Sequence, residues 1–242
     1  METTPPDQGA ETPRFYEKVL DSIEKDLQAG RLKLGGRLPP ERTMAEIYGI
    51  SRASVRDAIR ILSAIGIVRT SVGAGPDSGA IVISEPAAGL SSALRFHVAT
   101  RRLPVADIVA TRLLLETWAA GSIVSSEGLL DRLEPLHRLL EEMDDPDIDR
   151  ETFHALDVQF HVTLSSLGQN AVVVTMMEAL SGAIREYVRE AMDGIDVWPQ
   201  IRGVLRNQHH AIFDAVLLCE GEKAAVLLKE HIEWFYEKAR EL

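Results

Sequence analysis

The sequence predicts a mostly α-helical chain whose first third is organised differently from the rest. Helix-forming residues dominate, aromatic residues make up only 5%, and long Val/Ile/Thr runs are rare, which disfavours an all-β fold. Residues 15–84 combine three helical patterns with two β-like runs, whereas residues after Pro104 keep a helical pattern to the end. We therefore expect a small mixed N-terminal domain followed by an all-α bundle.

The elements of the first third are separated by clear turn signals. Three helices and then two strands are predicted at residues 15–29, 41–48, 52–65, 67–72 and 80–84. Gly49 can cap the second helix, Ser51 can cap the third, and a glycine-rich tip joins the strands. Three helices followed by a hairpin predict a winged helix-turn-helix domain over residues 14–84.

The net charge of −11 disfavours DNA binding if it is taken over the whole chain. The charge is uneven, however, because Arg31 to Arg69 contains eight basic and three acidic residues. This local excess of positive charge falls on the helix-turn-helix, so the first third can attract phosphates although the rest of the chain is acidic.

The third helix carries the residues that suit base reading. Arg52 and Arg56 lie one turn apart on its solvent side, and arginine pairs well with the two acceptors of guanine. Ser54 can bond to a phosphate or a base edge, and Arg42, at the start of the second helix, would lie beside the DNA backbone. The glycine-rich tip, which includes Gly73, lacks bulk and can approach the minor groove.

Residues 15–84 resemble the DNA-binding domain of GntR-family regulators. The matching stretches are GGRLPPER from Gly35, ISRASVRDA from Ile50 and LSAIGIV from Leu62. The resemblance implies DNA contacts from Arg42, Arg52, Arg56 and Gly73, and a homodimer on a two-fold operator. Ala53 departs from the small polar residue that is usual in the family, which removes one possible hydrogen bond to DNA.

The remainder of the chain reads as a linker and a helical bundle. The Pro-, Ala-, Gly- and Ser-containing stretch 85–92 indicates a linker, and residues 93–242 form the second predicted domain. A short helix is predicted at 92–100, and further helices are predicted at 105–125, 129–143, 149–167, 171–192, 198–219 and 222–242.

The spacing of acidic and histidine residues in the bundle suggests a metal site. Asp157 and His161 are four residues apart and share a helical face. His209 and His231 lie at similar heights on two helices that a short turn makes antiparallel. One carboxylate and three imidazoles suit Zn, Ni, Mn or Fe. His154 shares the face of Asp157 and remains a rival ligand, and spacing alone also allows each histidine to be solvated or hydrogen-bonded.

Residues 105–242 are similar to the FCD ligand-binding domain of the FadR-like branch of that family. Its signature, Asp-x-x-x-His followed by one histidine on each of the last two helices, matches Asp157, His161, His209 and His231. The branch also has an arginine near the start of the domain that holds an effector carboxylate, and Arg112 matches it. The resemblance therefore implies a divalent metal ion and a small carboxylate effector.

These patterns predict a ligand-responsive transcription regulator, with repression as the expected sign. Two alternatives stay open: an acyl-CoA-responsive regulator without metal, and a metal-dependent hydrolase or lyase. The sequence contains no HExxH, GxSxG or Walker A motif, so we expect no enzyme. Residues 1–13 read as a disordered tail, the single Cys219 fits the cytoplasm, and no apolar run is long enough for a membrane helix.

Overall fold

The structure, a computed structural model, describes residues 15–71, 79–100, 102–192 and 198–241. The described elements are α1 (Phe15–Gln28), α2 (Glu41–Tyr48), α3 (Arg52–Ala64), β1 (Val68–Ser71), β2 (Gly79–Val82), α4 (Pro86–Ala99), α5 (Val105–Gly121), α6 (Leu129–Met143), α7 (Arg150–Ser166), α8 (Ala171–Met192), α9 (Trp198–Leu217) and α10 (Gly221–Glu241). The mostly α-helical fold class is confirmed. The predicted tail at 1–13 lies outside the described residues.

The N-terminal unit, residues 1–89, is built around α1, α2 and α3. Gly49 ends α2 in the left-handed conformation, with φ 63°, which a side chain would disfavour. Ser51 then caps α3, because its side chain accepts a hydrogen bond from the Ser54 amide at 3.1 Å. The inner face of α3 presents Val55 and Ile59 to the apolar core, so its arginines face outward.

The hairpin packs beside this helical core. Strands β1 and β2 pair antiparallel with Val68 opposite Val82, and Arg37 adds an isolated bridge to Ile81. Both strands are shorter than predicted, and the connecting tip, residues 72–78, which includes Gly73, lies outside the described residues. Gly66 makes the turn into β1 with φ 75°, and a Cβ there would lie 2.2 Å from the Glu85 carbonyl oxygen. This turn therefore requires glycine.

The expected linker at 85–92 is wrong in its local structure. Helix α4 already begins at Pro86, so most of that stretch is helical and the short helix predicted from residue 92 starts six residues earlier. Proline suits the first turn of a helix because its φ is preset and its missing amide hydrogen is not needed there. Ala87, Ala88 and Leu90 then favour the helix over the breaking effect of Gly89.

Helices α5 to α10 form the C-terminal unit, residues 90–242, around one apolar core. The largest fully buried side chains of this core include Leu136, Phe153, Phe160, Leu205 and Leu228, which come from four different helices. Helix α5 ends at Gly121, earlier than expected, and α9 ends at Leu217. The all-α bundle predicted from apolar spacing is thus present, with helix ends shifted by a few residues.

Small residues allow α5 to approach two other helices closely. A Cβ added to Gly168, just after α7, would lie 2.9 Å from the Cα of Ala119 on α5. A Cβ on Gly221, the first residue of α10, would lie 2.9 Å from the Gly121 carbonyl oxygen. The left-handed residue of the α7–α8 turn is Gln169, with φ 56°, so Gly168 is required for space and not for its backbone angle.

Gly168→Ala is expected to lower the free energy of unfolding by about 1–3 kcal/mol, because the added methyl group overlaps backbone that cannot move freely. Urea unfolding followed by circular dichroism measures the change. Gly203→Ala on α9 is the matched control, since nothing lies within 4 Å of its Cβ position. Removing a glycine from an open helical site should raise stability by roughly 0.5–1 kcal/mol. A Gly168→Ala protein as stable as the wild type would contradict the close approach.

Candidate metal centre and DNA-reading surface

The C-terminal unit buries several polar side chains inside its apolar core. The buried polar and charged residues among those described are Arg112, Glu116, His154, Asp157, His161, Ser165, His209 and His231. Polar groups removed from water cost free energy unless they find hydrogen bonds, charges or a metal ion. Such a concentration within one bundle marks it as the candidate site.

Helix α7 supplies Asp157 and His161, and its start is fixed by Asp149. The Asp149 carboxylate accepts hydrogen bonds from the Thr152 amide at 2.9 Å and from the Thr152 hydroxyl at 2.7 Å. This cap fixes where the helix begins. The fully buried Phe160 marks the core side of α7, and Asp157 and His161, four residues apart, lie on that side. Asp157 is 8% exposed and His161 is 2% exposed.

Helices α9 and α10 bring the other two histidines to the same place. One potential ligand atom from each of Asp157, His161, His209 and His231 lies within 4.8 Å of all the others. The Asp157 Oδ1 atom is 3.0 Å from His209 Nε2, and the Nε2 atoms of His161 and His231 are 3.1 Å apart. The structure therefore brings together all four residues that the sequence analysis singled out.

His209 gives an independent test of whether these residues fit a metal ion. Neither of its ring nitrogens has a hydrogen-bond partner, because the 3.0 Å contact with Asp157 lacks the alignment that a hydrogen bond needs. An unpaired buried polar group costs about 1–3 kcal/mol. A cation among three imidazole nitrogens and a carboxylate oxygen would satisfy the orphaned nitrogen that faces Asp157, so the residues fit a divalent transition metal.

The protonation states favoured by this environment also suit metal binding. Burial lowers the pKa of His209 and, together with the neighbouring imidazoles, holds the pKa of His231 well below its ordinary value. Burial raises the pKa of Asp157, but the surrounding histidines outweigh it and keep that pKa well below the usual range. Neutral imidazole and ionised carboxylate are the forms that coordinate metals.

Two other side chains contact the cluster from outside. Glu116 accepts a hydrogen bond from Arg112 Nε at 2.8 Å and lies 2.5 Å from His161 Nδ1. The Gln208 Oε1 atom lies 2.9 Å from His231 Nδ1. The sequence analysis singled out neither Glu116 nor Gln208. Their partners are 45 and 23 residues away, and no local spacing relates such pairs.

The rival ligand His154 and the neighbouring His210 lie outside the cluster. His154 is buried, but it packs against Trp198 with ring centroids 4.9 Å apart and does not join the four-residue cluster. His210 points away from the cluster, where its Nε2 atom lies 3.0 Å from Asp144. Adjacent helical residues point about 100° apart, which explains why only His209 faces the core.

The DNA-reading candidates lie on the exposed side of α2 and α3. The Arg56 guanidinium donates to Glu41, with Nη2 3.2 Å from Oε2, and Arg52 Nη2 lies 3.9 Å from the same oxygen. Arg42 is within 3.8 Å of Glu46, one turn further along α2. These surface ion pairs are weak, so DNA phosphates and bases can compete for the arginines.

Ser54 is partly used within the protein. Its amide donates a hydrogen bond to the Ser51 side chain, and the hydroxyl oxygens of the two serines lie 3.0 Å apart. The sequence analysis missed the role of Glu41 as the acidic partner of both Arg52 and Arg56, although Glu41 opens the helix that precedes the turn.

None of the helices that the structure describes combines the length and continuous apolar character that crossing a bilayer requires.

Two protein-family models match the chain. The model for the FCD domain matches residues 107–233, about half of the chain, and the model for bacterial regulatory proteins of the gntR family matches residues 15–76. The matches fall in the two parts of the chain that resembled these domains in sequence, so the resemblance is confirmed.

Curated relatives along most of the chain are named as transcription regulators. The HTH-type transcriptional regulator LutR of Bacillus subtilis is 27% identical over 208 residues, which cover 85% of this chain and 92% of LutR. The Glc operon transcriptional activator of Escherichia coli K12 is 26% identical, with 89% and 85% covered. The Uxu operon regulator of Haemophilus influenzae is 25% identical, with 91% and 80% covered.

A solved structure shares the fold. The structure titled Streptococcus agalactiae GntR aligns with a TM-score of 0.62 at 20% identity, covering 93% of this chain and 99% of that one. The two family matches, the winged helix-turn-helix and the helical bundle agree with one another. The chain therefore belongs to the GntR family of bacterial regulatory proteins, as a DNA-binding transcription regulator whose C-terminal part contains an FCD domain.

Proposed function

We propose that this chain is a homodimeric regulator of a two-fold operator, controlled by a small organic acid that binds at a divalent metal ion. The ion is held by Asp157, His161, His209 and His231. The observation that carries the proposal is the convergence of these four ligand atoms within 4.8 Å inside a buried core. The metal is Zn, Ni or Mn, because borderline nitrogen and oxygen donors suit these ions.

A bound ion would leave coordination positions open, since four protein ligands fill only part of an octahedral shell. The chain supplies a second anchor for a carboxylate in Arg112. Its Nε atom donates to Glu116, whereas its two Nη groups have no hydrogen-bond partner among the described residues. A guanidinium edge of this kind can bind a carboxylate in a bidentate manner. A small carboxylate is therefore the effector class we propose.

Ligand access is available on another side of the cluster. A cavity of about 250 Å³ between α9 and α10 reaches His231 and is also lined by the amide side chains of Asn207 and Gln208. This volume suits a small polar molecule. The four buried ligand candidates favour a metal-dependent sensor over an acyl-CoA-responsive regulator that binds no metal.

The DNA half of the proposal rests on Arg42, Arg52, Ser54 and Arg56, together with Gly73, which lies between the two strands in the sequence. Two copies must place their α3 helices about 34 Å apart to read successive major grooves together. The acid can change operator affinity only if it binds the two states of the protein with different affinity. We propose repression with release on binding the acid, although one relative is named an activator.

The hydrolase or lyase alternative would need a general base beside the metal. Both carboxylate oxygens of Glu116 are already engaged by Arg112 and His161. Glu178 on α8 is exposed, away from the buried cluster. The names of the relatives also indicate regulators and not enzymes. A regulatory metal site is therefore favoured over a catalytic one.

The metal site predicts that protein purified without a polyhistidine tag carries about one divalent ion per chain, and that His209→Ala loses it. The substitution removes one of the four ligands, and this ligand is the histidine whose ring nitrogens make no hydrogen bond within the protein. Elemental analysis by mass spectrometry measures the content. His210→Ala is the matched control, because His210 lies on the same helix but contacts Asp144. Equal metal content in the two variants would contradict the assignment.

The DNA surface predicts that Arg56→Ala weakens binding to an operator, selected from a random DNA library by the wild-type protein, by about 1–3 kcal/mol. The loss should be much smaller on unrelated DNA, because a base contact is specific. Arg60→Ala, on the same helix and paired with Asp57, is the control. Fluorescence anisotropy gives both affinities. An Arg56→Ala protein that discriminates operators as well as the wild type would contradict the role of Arg56.

A further inference from the structure

The Glu116 side chain is a carboxylate held between two nitrogen donors in the interior of the C-terminal unit. Its exposure is 0%, Arg112 Nε lies 2.8 Å from Oε1, and His161 Nδ1 lies 2.5 Å from Oε2. A buried charge with this geometry is costly unless both neighbours compensate it. The ion pair with the Arg112 guanidinium compensates an ionised Glu116 carboxylate.

The contact with Glu116 determines which nitrogen of His161 carries hydrogen. An ionised carboxylate can only accept, so Nδ1 must be the donor. In a neutral ring the other nitrogen, Nε2, is then unprotonated, and this is the atom that faces Asp157 and His231. A carboxylate behind an imidazole fixes its tautomer and orientation and makes the ring a stronger metal ligand.

We propose that Glu116 is the positioning residue of the metal site: it holds His161 as an Nε2 ligand and couples that ligand to Arg112. The inference rests on the proposed metal binding. The three imidazoles of the cluster differ in this respect. His231 has the neutral amide of Gln208 at Nδ1, and His209 Nδ1 has no partner. Of the three imidazoles of the cluster, only His161 has a charged partner at Nδ1.

The double role requires a carboxylate and not merely an acceptor. Glu116 meets two donors with two different oxygens. A glutamine has one oxygen and one NH₂ group, so one donor, Arg112 Nε or His161 Nδ1, would face another donor. An unpaired buried donor is unfavourable, so the side chains would shift at the weaker of the two contacts that residue 116 makes.

The coupling has a consequence for effector binding. Arg112 uses Nε for Glu116 and keeps its Nη groups for an incoming carboxylate. An acid bound at Arg112 therefore shares the guanidinium with the residue that holds His161. Two hydrogen bonds then connect the anchor for the effector to a ligand of the ion. Effector binding can therefore influence the metal site without the movement of a helix.

Glu116→Gln tests the proposal, with Glu178→Gln as the control because the same chemical change is made at an exposed site. We expect Glu116→Gln to weaken Zn²⁺ or Ni²⁺ affinity by about 10–100-fold, measured by competition with a chromophoric chelator, and Glu178→Gln to leave it unchanged. Glu116→Asp keeps two oxygens and the charge but shortens the side chain, so it should recover part of the affinity.

A spectroscopic readout separates positioning from a general loss of stability. In the Co²⁺-loaded wild-type protein, the His161 Nδ1 proton should give a paramagnetically shifted, slowly exchanging NMR signal. Glu116→Gln should shift it or speed its exchange, whereas Glu178→Gln should not. A wild-type protein that binds no metal would overturn both this inference and the proposed function. A metal-binding wild type with unchanged affinity and signal in Glu116→Gln would overturn this inference alone.

Discussion

The burial of one carboxylate and three imidazoles in an apolar helical core is the constraint on which the C-terminal unit depends. Asp157 and the three histidines are each less than a tenth exposed, and neither ring nitrogen of His209 makes a hydrogen bond. Such an arrangement opposes folding unless something compensates it. The proposed divalent cation would supply that compensation, because it would satisfy the inward-facing nitrogens and the carboxylate together.

The surrounding architecture serves to hold these four atoms in place. The cap at Asp149 fixes where α7 begins, and glycine at 168 and 221 allows α5 to lie close to α7 and α10. This closeness brings Glu116 to His161 across 45 residues of sequence. In the N-terminal unit, the same logic applies to Gly49 and Ser51, whose turn leaves the arginines of α3 facing outward.

The extent to which the sequence predicted the structure follows from the range of the interactions. Helical spacing placed Asp157 beside His161 and paired His209 with His231, because periodicity and a short turn determine relative height. It failed at α4, where proline, glycine and serine suggested a linker although Pro86 can start a helix. Glu116, Gln208 and Glu41 were missed as partners because their contacts depend on how helices pack, which local spacing does not report.

We propose that the buried cluster controls DNA binding through a metal-bound acid. The most direct measurement is operator affinity by fluorescence anisotropy, as metal-loaded protein is titrated with lactate, succinate, citrate and other small carboxylates. We expect that at least one acid changes the affinity of the wild-type protein, and that the change disappears in His209→Ala and after removal of the metal with a chelator. An identical response in wild type, chelated protein and His209→Ala, or no response to any acid, would contradict it.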